Sequence, residues 1–210
     1  MPVLSYILTA LGAYLLGAIP FGFLMAKAKG VDIRSVGSGN IGATNAMRVL
    51  GKPAGIFVLL MDAAKGFFAV GVGYFIARSF GGAESQIETA RILAGIFAVL
   101  GHNYTCWLKF KGGKGIATTA GVYLALAPWA LVIALAVFIL VLLVSRIVSV
   151  ASMSAAAALP VVVWVMTPHN LFLGIVTTAL SALAIYKHKS NIQRLMAGTE
   201  SRLGQKKEAK

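Results

Sequence analysis

Long apolar segments without charged side chains dominate this chain and alternate with short polar ones. The first, residues 3–26, contains 24 uncharged residues, and a helix of that length, at about 1.5 Å per residue, crosses a hydrocarbon core of about 30 Å. Backbone groups in lipid must be hydrogen-bonded within their own segment, so spans of this length are helical. The pattern predicts an all-α integral membrane protein. Its other apolar segments are residues 53–77, 92–108, 116–145, 147–167 and 171–186.

The distribution of positive charge indicates how these segments are oriented. Residues 27–52 and 109–114 hold an excess of Lys and Arg, whereas residues 78–91 contain two Arg and two Glu. Segments rich in Lys and Arg stay on the cytoplasmic side of a membrane. The N-terminus is therefore predicted to lie outside.

Residues 116–145 leave the number of spans open. These 30 uncharged residues would form a helix of roughly 45 Å, which is too long for one span and short for two. A single crossing would place the basic tail that begins at Lys187 outside, against the orientation rule. We predict two short, tilted crossings bent at Pro128, which gives seven transmembrane helices and a cytoplasmic C-terminus. Five full spans with a re-entrant hairpin are the alternative.

Composition agrees with a membrane protein, since 59% of the 210 residues are hydrophobic and the mean hydropathy is +0.85. The 19 basic and 6 acidic side chains leave a net charge of +13, which suits phosphates or anionic lipid. Nucleic acid is not expected as a partner, because no nucleic-acid-binding signature is present. The single cysteine, Cys106, excludes a disulfide and a multi-cysteine metal site, so we expect no metal and no cofactor. One domain is predicted over residues 1–200, with a polar, disordered tail over 201–210.

A glycine-rich motif, residues 36–48, follows the first span. Its glycines allow sharp turns and close approach to a ligand, while its Ser, Asn and Thr side chains supply neutral donors. Thr44 or Asn45 is a suitable helix cap, which would place Arg48 about one turn in, directed toward the amino-terminal amides that attract anions. The residues favour an anion site over the alternative, a flexible loop with a capping residue.

A second motif, residues 109–119, leads into the apolar segment that contains Pro128. Glycines before a helix start, with Lys114 between two of them, are typical of a phosphate-binding loop. The spacing is not that of a Walker A loop, so ATP hydrolysis is not indicated. We interpret Lys109 and Lys111 as ordinary orientation charges.

A third motif, residues 186–200, is a basic segment next to the last span. His188, Asn191 and Arg194 stand three residues apart and share one helix face. An anchor for lipid headgroups is the alternative interpretation.

Three polar residues, Asp62, Lys65 and His102, lie within predicted membrane spans. Asp62 and Lys65 are predicted to pair, because charges at that depth are costly unless they are paired. His102 closes the third span just before the second motif, where it is either a supporting residue or ordinary packing.

The three motifs, in this order, resemble those of the acyl-phosphate-dependent glycerol-3-phosphate acyltransferases of bacterial membranes, the PlsY type. The resemblance extends from the first span through Glu200. It implies that Ser38, Arg48, Lys114 and Asn191 hold glycerol 3-phosphate, and that Thr44, Asn45, Gly112, Gly113 and His188 lie nearer the acyl phosphate. The expected catalytic residues are Ser38, Arg48, Lys114, His188 and Asn191, and the expected substrate-binding residues are Gly37, Gly39, Asn40, Thr44, Asn45, Gly112, Gly113 and Gly115.

The resemblance also implies a reaction and a setting. An acyl group moves from a long-chain acyl phosphate to the first hydroxyl of glycerol 3-phosphate, at the cytoplasmic face of the bacterial inner membrane, as the first step of phospholipid biosynthesis. Membrane lipid, and an upstream enzyme that forms the acyl phosphate, are the other expected partners. We expect direct transfer without an acyl-enzyme, with glycine amides and Lys114 stabilising the departing phosphate.

The proton acceptor and the function class retain alternatives. A substrate phosphate oxygen or His188 is the expected base, and Asp32 and Glu200 are further candidates. An organic-phosphate transporter is the alternative function, although transporters commonly show repeated halves and a midplane site, and neither is visible here.

Overall fold

The computed structural model describes residues 2–204, and these form ten α-helices with no β-strand, which confirms the all-α prediction. The chain divides after Pro128 into two compact units. The single domain predicted over residues 1–200 stays a prediction, and residues 205–210 of the predicted tail lie outside the described residues. The helices are α1 (Pro2–Ala18), α2 (Phe21–Ala28), α3 (Ala43–Leu50), α4 (Lys52–Ser79), α5 (Glu84–Asn103), α6 (Ile116–Leu126), α7 (Pro128–Ser145), α8 (Val148–Met166), α9 (Leu171–Lys187) and α10 (Lys189–Met196).

The first apolar segment is broken into α1 and α2 instead of forming one continuous helix. Pro20 lies at the junction, and a proline has no N–H to donate and clashes with the preceding helical turn. α1 packs against α5. Gly17 of α1 and Gly101 of α5 lie at this contact, because a Cβ at either position would collide with the backbone of the other helix.

Helix α4 is the centre of the first unit, since α1, α3, α5 and α6 all pack against it. Small residues at these contacts allow the helix backbones to approach closely. The glycines of α4 and their neighbours are Gly55 with Met47 of α3, Gly66 with Thr118 of α6, and Gly73 with Ala90 of α5. The ion pair predicted within this helix is confirmed, because Lys65 Nζ lies 2.8 Å from Asp62 Oδ1.

The second unit contains a helix pair followed by a short basic helix. α8 and α9 pack against each other, and α10 packs against α9. Asn170 caps α9, because its Oδ1 accepts a hydrogen bond of 2.9 Å from the Leu173 N–H. After α10 the chain returns to the start of α8, where the Leu203 N–H donates to the Arg146 carbonyl over 2.7 Å.

Four helical segments of the described chain are long and apolar enough to cross a membrane, and a bent pair of helices makes a fifth if it is one span. They are Val3–Ala28, Lys52–Ser79, Pro128–Ser145, Val148–Met166 and the pair Leu171–Lys187 with Lys189–Met196. The predicted break at Pro128 is present, but α6 has 11 residues and is about 16 Å long, about half of a hydrocarbon core. The seven-helix count and the orientation therefore stay predictions.

The glycine contacts of α4 yield a test of the first unit. In Gly66→Ala the new Cβ would meet the Thr118 carbonyl, and such overpacking costs about 1–3 kcal/mol. We expect the melting temperature of the purified variant in detergent to be several degrees lower, because a loss of that size in folding free energy shifts it by about this much. Gly71→Ala is the matched control, since nothing lies within 4 Å of a Cβ there. Equal melting temperatures for the two variants would contradict this packing.

Candidate active site

Asn45 organises the glycine-rich loop before α3. Its Oδ1 accepts from the Ser38 N–H over 2.8 Å, and its Nδ2 donates to the carbonyls of Ile33, Val36 and Asn40 over 3.2, 3.1 and 2.9 Å. Its side chain is buried. Asn45 therefore fixes the path of the loop, and its place among the substrate-binding residues stays a prediction.

Two glycines of the loop have backbone conformations that other residues adopt poorly. Gly37 has a φ of 63° and Gly39 a φ of 70°, both in the left-handed region that favours glycine. A Cβ on Gly37 would also collide with Asn45 Oδ1. These glycines shape the loop around Asn45, while Ser38 between them is exposed.

Helix α3 presents an exposed polar face next to this loop. Its N-cap is Gly42, whose N–H donates to Asn40 Oδ1 over 2.8 Å, so the prediction that Thr44 or Asn45 caps the helix is wrong. Thr44 and Arg48 are one turn apart on α3 and both are exposed. Arg48 lies in the last turn of α3 and is exposed, whereas the sequence predicts a position about one turn into the helix.

Two glycine N–H groups of the second motif form hydrogen bonds with the last carbonyls of α5. The Gly113 N–H donates to the His102 carbonyl over 3.0 Å, and the Gly112 N–H donates to the Asn103 carbonyl over 3.2 Å. The last carbonyls of a helix have no partner within it, so these two amides satisfy the end of α5. Both amides thus have backbone partners, and the substrate-binding role expected of Gly112 and Gly113 stays a prediction. Glycine is needed because a Cβ at position 113 would collide with the His102 ring.

Lys114 lies directly before the start of α6. Gly115 is the N-cap of α6 and has a φ of 84°, which favours glycine. The first amides of α6 have no carbonyl partner within the helix and carry its positive dipole end. Lys114 is half-buried, and its ammonium group together with these amides offers a site for a phosphate.

The third motif forms a polar cluster around Glu200 in the second unit. Glu200 Oε1 accepts from Asn191 Nδ2 over 2.6 Å and from the Ser149 hydroxyl over 2.8 Å. Glu200 Oε2 accepts from Arg194 Nε over 2.6 Å. The prediction that Asn191 and Arg194 share a face is confirmed.

His188 lies at the junction of α9 and α10 and is buried. Its Nδ1 is 2.8 Å from the Ala184 carbonyl. A carbonyl only accepts hydrogen bonds, so Nδ1 carries the proton and Nε2 holds the lone pair in the neutral ring. This tautomer is suited to accept a proton at Nε2.

The two carboxylates named as candidate bases are both held ionised by arginines. Hydrogen bonds from Arg34 lower the pKa of Asp32 to about 2. Burial would raise the pKa of Glu200, but hydrogen bonds from Asn191, Ser149 and Arg194, with the positive charge of Arg194, hold it below its ordinary value. Carboxylates stabilised in this way are weaker proton acceptors at neutral pH than ordinary ones, which favours the other candidates for the base.

Sequence reasoning missed two residues of these clusters. Ser149 bonds to Glu200 from 51 positions away, and Thr105, four residues before the second motif, donates its hydroxyl to the Ala18 carbonyl over 2.6 Å. A serine or threonine in an apolar segment has no pattern that distinguishes it from a packing residue. No cluster of three or more His, Cys, Asp or Glu side chains suited to a metal occurs in residues 2–204.

These features define an integral membrane protein with candidate phosphate sites. Its apolar helices expose Leu, Val and Phe side chains, and its glycine loops are cationic. A family model described as glycerol-3-phosphate acyltransferase matches residues 7–198. The chain belongs to this family.

Curated relatives and solved structures agree with this membership. The glycerol-3-phosphate acyltransferase of Geotalea daltonii is 46% identical over 94% of this chain and 97% of its own, and that of Thermosynechococcus vestitus is 48% identical over 94% of each. A crystal structure of PlsY, an integral membrane glycerol 3-phosphate acyltransferase, in its glycerol 3-phosphate form is similar with a TM-score of 0.86 and 39% identity, covering 95% of this chain and 96% of that one. Its lysophosphatidic acid form gives 0.80. These similarities give no support to the transporter alternative.

The hydrogen bonds of Asn45 yield a test of the first loop. Asn45→Ala would leave one amide and three carbonyls without their partner, each at about 1–3 kcal/mol if it stays buried. We expect trypsin to cleave after Arg34 at least several-fold faster, because a lower free energy of local opening raises the population of the cleavable open loop. Thr44→Ala is the control, because Thr44 is next to Asn45 in the chain and its side chain is exposed. Cleavage at the same rate in both variants would show that Asn45 does not hold the loop.

The pKa of Glu200 yields a test of the third cluster. Because this pKa is lowered in the folded protein, the carboxylate stabilises the fold fully above its ordinary value of 4.5, and that contribution is lost as pH falls through the lowered value. The melting temperature of wild type should therefore exceed that of Glu200→Gln at pH 7, with a gap that closes below about pH 4.5. A gap of constant size from pH 7 to pH 3 would contradict the lowered pKa.

Proposed function

We propose that this protein transfers an acyl group from a long-chain acyl phosphate to the sn-1 hydroxyl of glycerol 3-phosphate. The products are lysophosphatidic acid and inorganic phosphate. The proposed place is the cytoplasmic face of the bacterial inner membrane, and no metal or cofactor takes part. Family membership supports the acceptor and the acyl transfer, and the related PlsY structures are a glycerol 3-phosphate form and a lysophosphatidic acid form.

The exposed face of α3 carries the proposal. Arg48 has the planar, forked guanidinium that pairs with two phosphate oxygens, and the Thr44 hydroxyl lies one turn away on the same face. Ser38 adds a hydroxyl from the adjoining loop. We propose that this face, with Lys114 and the start of α6, binds the phosphate of glycerol 3-phosphate and the acyl phosphate head.

The apolar helices suit the donor. A long-chain acyl phosphate has a tail that stays in lipid and a doubly charged head that must leave it. The exposed apolar side chains of α4, such as Leu60 and Phe68, belong to the same unit as the cationic loops. A donor can thus remain in the bilayer while its head reaches Lys114.

The proposed step needs positioning and charge more than a protein nucleophile. The sn-1 hydroxyl oxygen attacks the acyl carbonyl carbon, the new carbon–oxygen ester bond forms, and the carbon–oxygen bond to phosphate breaks. The departing phosphate takes the bonding electrons and is stabilised by Lys114 and Arg48. The hydroxyl proton passes to a substrate phosphate oxygen or to His188 Nε2. We propose that Asn191 supports this step from the third cluster, where Glu200 fixes its amide.

Activity of charge variants tests the proposal. Purified protein in detergent should release phosphate from palmitoyl phosphate only when glycerol 3-phosphate is present. We expect Arg48→Ala and Lys114→Ala each to lower kcat/KM by about a hundredfold or more. Lys111→Ala is the matched control, because that exposed lysine is an orientation charge. Full activity in the Lys114 variant, or uptake of glycerol 3-phosphate into vesicles without acylation, would refute the proposal.

The absence of an acyl-enzyme has its own test. An acyl phosphate is already activated, so a covalent intermediate is unnecessary and none is expected. Mixing the protein with palmitoyl phosphate alone should give no burst of phosphate and no mass increase of one acyl group. A trapped acyl adduct on any side chain would overturn direct transfer.

A further inference from the structure

Two charged side chains are buried inside α4. Lys65 and Asp62 are 1% and 3% exposed, and Nζ lies 2.8 Å from Oδ1. A buried ion pair is a weak source of stability, since apolar residues of similar volume serve as well or better. Charges within a span are costly and usually mark a function. The contacts of this pair indicate what that function is.

Lys65 holds the break between α1 and α2. Its Nζ donates to the Ile19 carbonyl over 2.8 Å, and the same ammonium group lies 5.7 Å from the centre of the Phe21 ring. Ile19 ends one side of the break and Phe21 begins α2 on the other. Lys65 therefore fixes the direction in which α2 leaves the break.

The direction of α2 determines where the glycine-rich loop ends. Gly22, in the first turn of α2, lies so close to the Ile41 carbonyl that a Cβ would collide with it. Ile41 directly precedes Gly42, the N-cap of α3. A shift of α2 would thus move the start of α3, the helix that presents Arg48.

Asp62 connects the pair to the other loop. Its Oδ1 lies 3.6 Å from His102 Nδ1. The His102 carbonyl accepts the Gly113 N–H over 3.0 Å, and the His102 ring fills the space next to the Gly113 Cα. Lys114 follows at once. The position of the His102 ring therefore determines where Lys114 can lie.

We propose that the buried Asp62–Lys65 pair is a positioning element that sets the spacing between Arg48 and Lys114. Lys65 acts through the break and α2, and Asp62 acts through His102 and Gly113. This inference rests on the proposed function, in which Arg48 and Lys114 bind the phosphates of the substrates. Neither Asp62 nor Lys65 touches substrate.

A charge-free replacement of the pair separates positioning from stability. In Asp62→Leu/Lys65→Met both charges are removed together, so no unpaired charge stays buried, and the Ile19 carbonyl still accepts from the Phe21 N–H over 3.2 Å. The melting temperature in detergent should therefore stay close to wild type. We expect kcat/KM for glycerol 3-phosphate to fall at least about tenfold, because a small misplacement of phosphate-binding groups is costly. The control is Arg78→Gln/Glu84→Gln, which removes an exposed pair of the same unit with its N–O distance of 3.4 Å. A double variant with wild-type kinetics would overturn the proposal.

A second double variant keeps the proposal testable if the apolar double variant does not fold. Asp62→Asn/Lys65→Gln removes both charges but keeps a shorter amide donor on the side of the Ile19 carbonyl. It should fold and show a smaller loss of kcat/KM than the apolar variant. Full activity here together with failure of the apolar variant to fold would assign the pair to stability alone and overturn the proposal.

A labelling experiment distinguishes this inference from the proposed function. In a Cys106→Ala background, a water-soluble maleimide reports the exposure of Lys114→Cys without any need for activity. Adding either pair replacement should change that labelling rate at least about threefold, while the rate at Ser201→Cys in the second unit stays constant. If wild type transfers no acyl group, the proposed function fails and labelling alone decides. Unchanged labelling at position 114 refutes the positioning role.

Discussion

The end of α1 inside a membrane imposes the constraint on which the first unit depends. Pro20 cannot continue the hydrogen bonding of α1, and backbone carbonyls in an apolar environment need donors. Thr105 donates to the Ala18 carbonyl and Lys65 to the Ile19 carbonyl. A buried lysine in turn needs a carboxylate, which Asp62 supplies. The broken helix thus accounts for charged residues that the lipid would otherwise exclude, and its carbonyls tie the end of α1 to α4 and to the segment that follows α5.

Both cationic loops satisfy their own backbone before they meet a ligand. Asn45 uses its whole amide group on the first loop, and the amides of Gly112 and Gly113 complete α5. What the loops offer outward is side chains: hydroxyls at Ser38 and Thr44, and cations at Arg48 and Lys114. A scaffold that is already hydrogen-bonded holds such groups in place at little entropic cost on binding.

The sequence predicts the helices well because membrane thickness and backbone satisfaction leave few other solutions. It predicts poorly wherever a backbone carbonyl is satisfied from far along the chain. The Lys65 to Ile19 bond joins residues 46 positions apart and the Thr105 to Ala18 bond joins residues 87 apart, and no local pattern signals either. The same limit applies to Asn45, because an Asn before an apolar turn has the composition of a helix cap, whichever groups its amide finally meets.

The amides of Gly112 and Gly113 also bear on how the reaction cycle closes. A backbone nest binds any phosphate with fixed donors. Here those amides donate to the carbonyls of His102 and Asn103, so a phosphate meets fewer rigid donors in this loop. In the proposed reaction phosphate forms at each cycle, and a weak hold on that product favours turnover.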